Sequence, residues 1–135
     1  MALEMTALER YEPQLRSLVR IMVGFTISQH GWQKFFGVLG GMGGHKAELF
    51  SALGVAGVLE TFGGALILLG LFTRPVAFLL SGELAYGYFR THAPRGFWPV
   101  LNGGEMAVFY SFFFLWLSSK GAGPWSVDRL LGRRS

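Results

Sequence analysis

Glu60 stands in the stretch GVLETFGGAL, residues 57–66, inside an apolar run that reaches from Leu49 to Phe72. His30, Lys34, Glu83 and Glu105 sit in similar surroundings on three other segments. Carboxylates, an imidazole and an ammonium brought together can bind a polar headgroup and move protons. An ionisable side chain at bilayer depth costs at least about 2.5–3.5 kcal/mol and usually faces a bundle interior with a partner. Three acids on three segments therefore read as placed to meet. Their neighbours extend the pattern. Lys34 is one helical turn from His30, and Gln29 and Gln33 form a second polar stripe. Glu83, Tyr86 and Arg90 fall on one helical face. Gly57, Gly63 and Gly64 flank Glu60 and would let another backbone come close. The plain alternative is an ion pair that only ties helices together.

Positioning these groups requires long helices. The 135 residues are 51% hydrophobic and only 15% charged, against about 25% charged in ordinary soluble domains. The mean hydropathy is +0.40. A hydrocarbon core of about 30 Å needs about 20 largely apolar helical residues. Four segments meet that need: Leu15–Phe36, Leu49–Phe72, Arg74–Phe89 and Gly103–Ser119. The glycine-rich GVLGGMGG, Thr73-Arg74-Pro75 and the two-proline HAPRGFWPVLN separate them. The expected fold is all-α, a polytopic four-transmembrane-helix bundle over residues 15–119, with segments 1–14 and 120–135 outside it. Residues 2–14 suit a short surface helix or a frayed tail. No cleavable signal peptide is expected, because no short apolar region with a small-residue cleavage site precedes the spans.

Basic residues set the orientation. Arg10, Arg16, Arg74, Lys120, Arg129, Arg133 and Arg134 fall on one side, and Lys34, Lys46, Arg90 and Arg95 on the other. That bias places both termini in the cytoplasm. Counting about 1.5 Å per residue from the opposite surface puts His30 roughly 9 Å deep, Glu60 roughly 14–16 Å and Glu83 roughly 9–13 Å, with Glu105 within about 5 Å. The polar groups thus gather in the outer half, and Arg20 lies apart from them.

Several chemistries are disfavoured. The chain has no cysteine, which removes disulfides and thiolate-ligated clusters. His45 and His92 lie at loop edges without ligand spacing to His30, so haem ligation has little support. The Glu-x-x-His pairs of carboxylate di-metal bundles are absent. No metal site is expected. Scattered basic residues in an apolar chain do not suit nucleic acid.

RIMVGFTISQHGWQKF (Arg20–Phe35), LETFGGALILLGLFTRP (Leu59–Pro75), HAPRGFWPVLNGGEMAVFY (His92–Tyr110) and GAGPWSVDRLL (Gly121–Leu131) together resemble the DoxX family of small bacterial and archaeal membrane proteins. The resemblance runs from about Arg16 to Leu131. Its pattern falls on Arg20, His30, Lys34, Glu60, Gly63, Gly64, Arg74, Asn102, Glu105, Trp125 and Asp128. It implies a four-helix membrane bundle and a link to quinone-reducing systems, and related branches include membrane proteins that assist maturation of other proteins.

The expected function is an integral subunit of a quinone-linked oxidoreductase system in the bacterial inner membrane. Its site would use His30, Glu60 and Glu105 for acid–base work. Lys34, Glu83, Tyr86, Arg90, Asn102 and Trp98 would hold the ligand, with quinone as the cofactor. The partners expected are the lipid bilayer, redox proteins and further copies of the chain in a homo-oligomer. The competing expectation is a non-enzymatic protein that binds a lipid or small molecule, or assists assembly of membrane partners. A proton-coupled carrier fits less well, because inverted repeats and broken helices are missing.

Overall fold

The computed structural model describes residues 2–135, with side chains described from residue 6. The described residues form helices and loops without strands. A short helix α1 (Ala2–Arg10) breaks at Tyr11 before α2 (Glu12–Phe35). α2 therefore starts at Glu12, ahead of the expected Leu15, because Pro13 in its first turn suits a helix start. α3 (Ala52–Leu69) and α4 (Thr73–Gly87) follow. A π-helical turn, Tyr88–His92, extends α4 and passes into the 3-10 turn Ala93–Arg95. The short α5 (Pro99–Asn102), the long α6 (Glu105–Lys120) and the short α7 (Val127–Leu130) complete the chain.

The apolar runs become helices that end where side chains or glycines end them. Ser51 caps α3, its hydroxyl accepting from Gly54 N at 3.0 Å. Gly70 ends α3 in the left-handed conformation, with φ +69. A side chain at Gly70 would also run into the Arg20 guanidinium. Among the described residues, α3 is the one helix long and apolar enough to cross a membrane by length and composition. α2 carries Arg16, Arg20, His30 and Lys34, and α4 and α6 have 15 and 16 residues.

α2 packs along α3, α4 packs along α6, and α3 joins the two pairs. Small residues make the first contact. Gly24 and Gly31 of α2 lie against the backbone near Leu68 and Thr61, and Gly64 of α3 lies against Ser28. None of these positions has room for a Cβ. Gly63 faces the other way, onto Leu80 of α4. Ser81 and Ser111 tie α4 to α6 reciprocally, each hydroxyl donating to the other's carbonyl at 2.7 and 2.9 Å. Ile27, Ile67, Leu80, Phe114 and Leu117 fill the apolar centre.

The segment after α6 does not hang free. Arg20 is fully buried and donates to the carbonyls of Ala122 and Trp125, both at 2.6 Å. Ser17 Oγ accepts from Trp125 N at 3.1 Å. Asp128 accepts from Phe72 N and Thr73 N at 2.9 and 3.0 Å, which caps the start of α4. Arg74 donates to the Ser119 carbonyl at 2.5 Å. The tail thus closes one end of the bundle.

Burial pushes the Asp128 carboxyl up. The hydrogen bonds from Thr73 and Phe72, with that from Arg133, outweigh burial and hold it below the ordinary 3.8. A depressed folded value gives stability that is present above about 3.9 and is lost as pH falls through the folded value. The tail is therefore expected to loosen in acid. Amide hydrogen exchange of residues 121–133 at pH 6 and pH 3 reads this, and Asp128→Asn should remove the pH step. A step that survives in Asp128→Asn would assign it to other groups.

Candidate functional site

The opposite end of the bundle holds a cavity of about 1370 Å³. The C-terminal half of α2, the first half of α3, the second half of α4 and the start of α6 enclose it. Its wall is mostly apolar, with Ile27, Leu59, Leu84 and Met106 among the lining residues. Two loops frame this end. The 36–51 loop folds back onto α2, with Ala47 N donating to the Lys34 carbonyl at 2.8 Å. Successive glycines with positive φ permit its tight course.

Polar groups from all four long helices reach the cavity. Lys34 Nζ donates to Glu60 Oε2 at 2.6 Å. The pair is nearly dry, with the Lys34 side chain 14% exposed and that of Glu60 4%. The Glu83 carboxyl stands beside Glu60 on the same cavity wall. Its Oε2 is buried and takes no hydrogen bond among the described residues. The ammonium thus bonds one of two neighbouring acids, and one carboxyl oxygen of the other is left over. His30 lies within electrostatic reach of Lys34 and Glu60. Its ring meets that of Tyr110 edge to face at 6.0 Å. The buried Tyr110 hydroxyl makes no hydrogen bond within the described residues, and the Thr26 hydroxyl beside it turns to the Met22 carbonyl.

The structure brings His30, Lys34, Glu60, Glu83, Tyr86 and Arg90 to the cavity. Arg90 donates to the Tyr86 hydroxyl at 2.9 Å near the mouth. It does not bring Glu105, Asn102 or Trp98 there. Glu105 is exposed in the first turn of α6, because Met106, Ala107 and Tyr110 form the inward face of that helix. At about 100° per residue, Glu105 points about 140° away from Tyr110. Asn102 is buried, but its amide is committed to the loop. It donates to Gly96 O and Tyr88 Oη at 2.9 and 3.1 Å and accepts from Gly104 N at 2.9 Å. Trp98 is 62% exposed and packs edge-on against Phe97. Trp98 precedes α5 in extended backbone and so lies outside the helical turn that buries Asn102.

Tyr110 is a cavity residue that the sequence reading missed. It follows Phe109 and precedes three phenylalanines, where it reads as bulk. Its spacing of four from Met106 was the available signal, since both then share a face. Among the described residues, no group of three or more His, Cys, Asp or Glu is placed to hold a metal ion.

These features define an all-helical protein with an apolar cavity tipped by an ion pair and a second acid. The DoxX family profile matches residues 15–93, more than half of the chain, and the chain belongs to that family. An uncharacterized protein of Haemophilus influenzae is 44% identical over 128 residues, covering 92% of this chain and 96% of that one. An uncharacterized membrane protein of Mycobacterium tuberculosis is 29% identical over 134 residues, covering 87% and 81%. No solved structure matches the chain.

Proposed function

We propose that the protein is a multi-pass protein of the bacterial cytoplasmic membrane, a four-span bundle with both termini inside, and that its cavity holds a quinone for a membrane redox system. Residues 73–92 run as continuous helix, which at about 1.5 Å per residue is about 30 Å long. The excess of Lys and Arg at the tail end supports the orientation. The observation that carries the functional reading is the cavity end, where Lys34, Glu60 and Glu83 meet.

The residues suit a quinone head. Its two carbonyl oxygens call for donors, and Lys34, His30 and Tyr110 carry N–H or O–H groups at the cavity wall. A bound quinone supplies a couple in which two electrons and two protons convert carbonyls to hydroxyls. Glu83 Oε2, with no hydrogen-bond partner among the described residues, would release or take up the proton. Glu60 keeps the Lys34 ammonium in place at 2.6 Å. The apolar wall excludes water and strengthens each of these interactions.

The test is quinone titration of the protein in lipid nanodiscs, followed by tryptophan fluorescence. Saturable binding is expected, and His30→Ala should weaken it about tenfold without changing thermal unfolding. No saturable binding by the native protein would remove the quinone reading.

A further inference from the structure

The cavity is not closed on its α3–α4 side. Near their shared turn the two helices touch, with Gly63 against Leu80. Toward the loop end both helices line the cavity instead. A Cβ added at Gly82 would meet nothing within 4 Å. Around that gap stand Phe78, Leu79 and Tyr86, with Leu53 further toward the loop end; all four line the cavity and are also 65%, 55%, 57% and 43% exposed. Apolar side chains that face both a cavity and the outside of the bundle mark an opening. Three of these four rim residues are purely hydrocarbon or aromatic, so the opening suits a nonaqueous neighbour. Leu53 lies on α3, the helix long and apolar enough to cross a membrane, so the rim is continuous with a surface suited to lipid.

The polar groups lie behind this gap. Glu60 and Glu83 face one another across the α3–α4 boundary, and Lys34 and His30 stand on α2. At the loop end the cavity is lined by Arg90, Thr91 and His92. Its lateral side is therefore apolar, and its loop end basic.

We infer that the gap between α3 and α4 at Gly82 is a side port that admits a hydrocarbon chain from the bilayer, so that the cavity takes a lipid-borne amphiphile with its head at the Lys34–Glu60–Glu83 cluster. This rests on the membrane-bundle part of the proposed function and not on the ligand being a quinone. A ligand of this kind reaches its site without leaving the membrane. Its chain passes through the port into the apolar part of the cavity without crossing water.

The absence of cysteine from the chain allows a single label. A bimane on Ala107→Cys, on the α6 wall of the cavity, is examined in phosphatidylcholine vesicles containing a lipid with a nitroxide on its acyl chain. The chain nitroxide is expected to quench the bimane. Adding Gly82→Phe, which fills open space and favours helix, should cut that quenching about threefold. Equal quenching with and without Gly82→Phe, or quenching by aqueous iodide alone, overturns the port. The measurement contains no quinone. A protein that fails to bind quinone yet shows Gly82-dependent chain quenching would retain the port and lose only the ligand assignment. As a second measurement, a spin label on Gly82→Cys should collide with oxygen more than with a water-soluble nickel chelate. The reverse order overturns the proposal.

Discussion

Lys34→Met is expected to destabilise the bundle by about 3–5 kcal/mol, the range for removing one partner of a buried ion pair. Lys34 is bonded to Glu60 and is the cation nearest Glu83 in the cluster. Its removal leaves Glu60, 3% exposed, and Glu83 side by side without an offsetting charge. The double variant Lys34→Met/Glu60→Met replaces the pair with apolar side chains of similar reach. It should recover most of the loss, because well-packed apolar replacements of buried pairs are often neutral or better. Denaturant unfolding in detergent micelles gives the double-mutant cycle. A single-variant loss below about 1 kcal/mol would show that the pair behaves as a solvated surface bridge. The double variant also separates two roles of the site. If the pair only ties α2 to α3, the recovered protein keeps ligand binding. If the pair presents the head-binding atoms, the recovered protein folds and does not bind.

Arg20→Met should have an effect of similar size at the other end, about 3–5 kcal/mol. The guanidinium is fully buried and holds the carbonyls of Ala122 and Trp125. A methionine keeps the bulk and leaves two buried acceptors unmet, and Asp128 loses a nearby cation. Arg20→Lys should recover only part of the loss, since an ammonium cannot reproduce the fork of donors. Hydrogen exchange localises the effect. The amides of Trp125, Asp128 and Arg133 are bonded to Ser17, Gly70 and Asp128, and their exchange should accelerate in Arg20→Met. Unchanged exchange there, with the stability loss present, would place the role of Arg20 within α2 and α3 alone.

These two ends were not equally legible in the sequence. Glu60 could be matched with Lys34 and Glu83 by counting rise along helices, because height depends only on residue number once the spans are set. Direction around the helix axis is harder to count. Glu105 has the right height and the wrong side, and Tyr110, on the right side, was hidden in an aromatic run. The glycines beside Glu60 announced close packing, and the structure divides them, Gly57 and Gly64 toward α2 and Gly63 toward α4. Asn102 could not be separated from a ligand-binding residue by type. Its partners are a tyrosine hydroxyl and backbone groups of one irregular loop, and such geometry leaves no residue pattern. The tail closure was invisible for the same reason. Arg20 reaches backbone carbonyls 102 and 105 positions away, and any residue type can supply a carbonyl.

That separation also has a consequence in time. A ribosome adds about 5–20 residues per second, so the 102 positions between Arg20 and Ala122 correspond to about 5–20 s of synthesis. Throughout that interval α2 exists with its guanidinium short of two acceptors, and α3 offers it only the Leu68 carbonyl at 3.5 Å. Arg20 therefore meets its two short hydrogen-bond partners only after the later helices are made. Closure of the bundle waits for residues 121–128, and a nascent chain stalled before them lacks the contacts that seal the tail end.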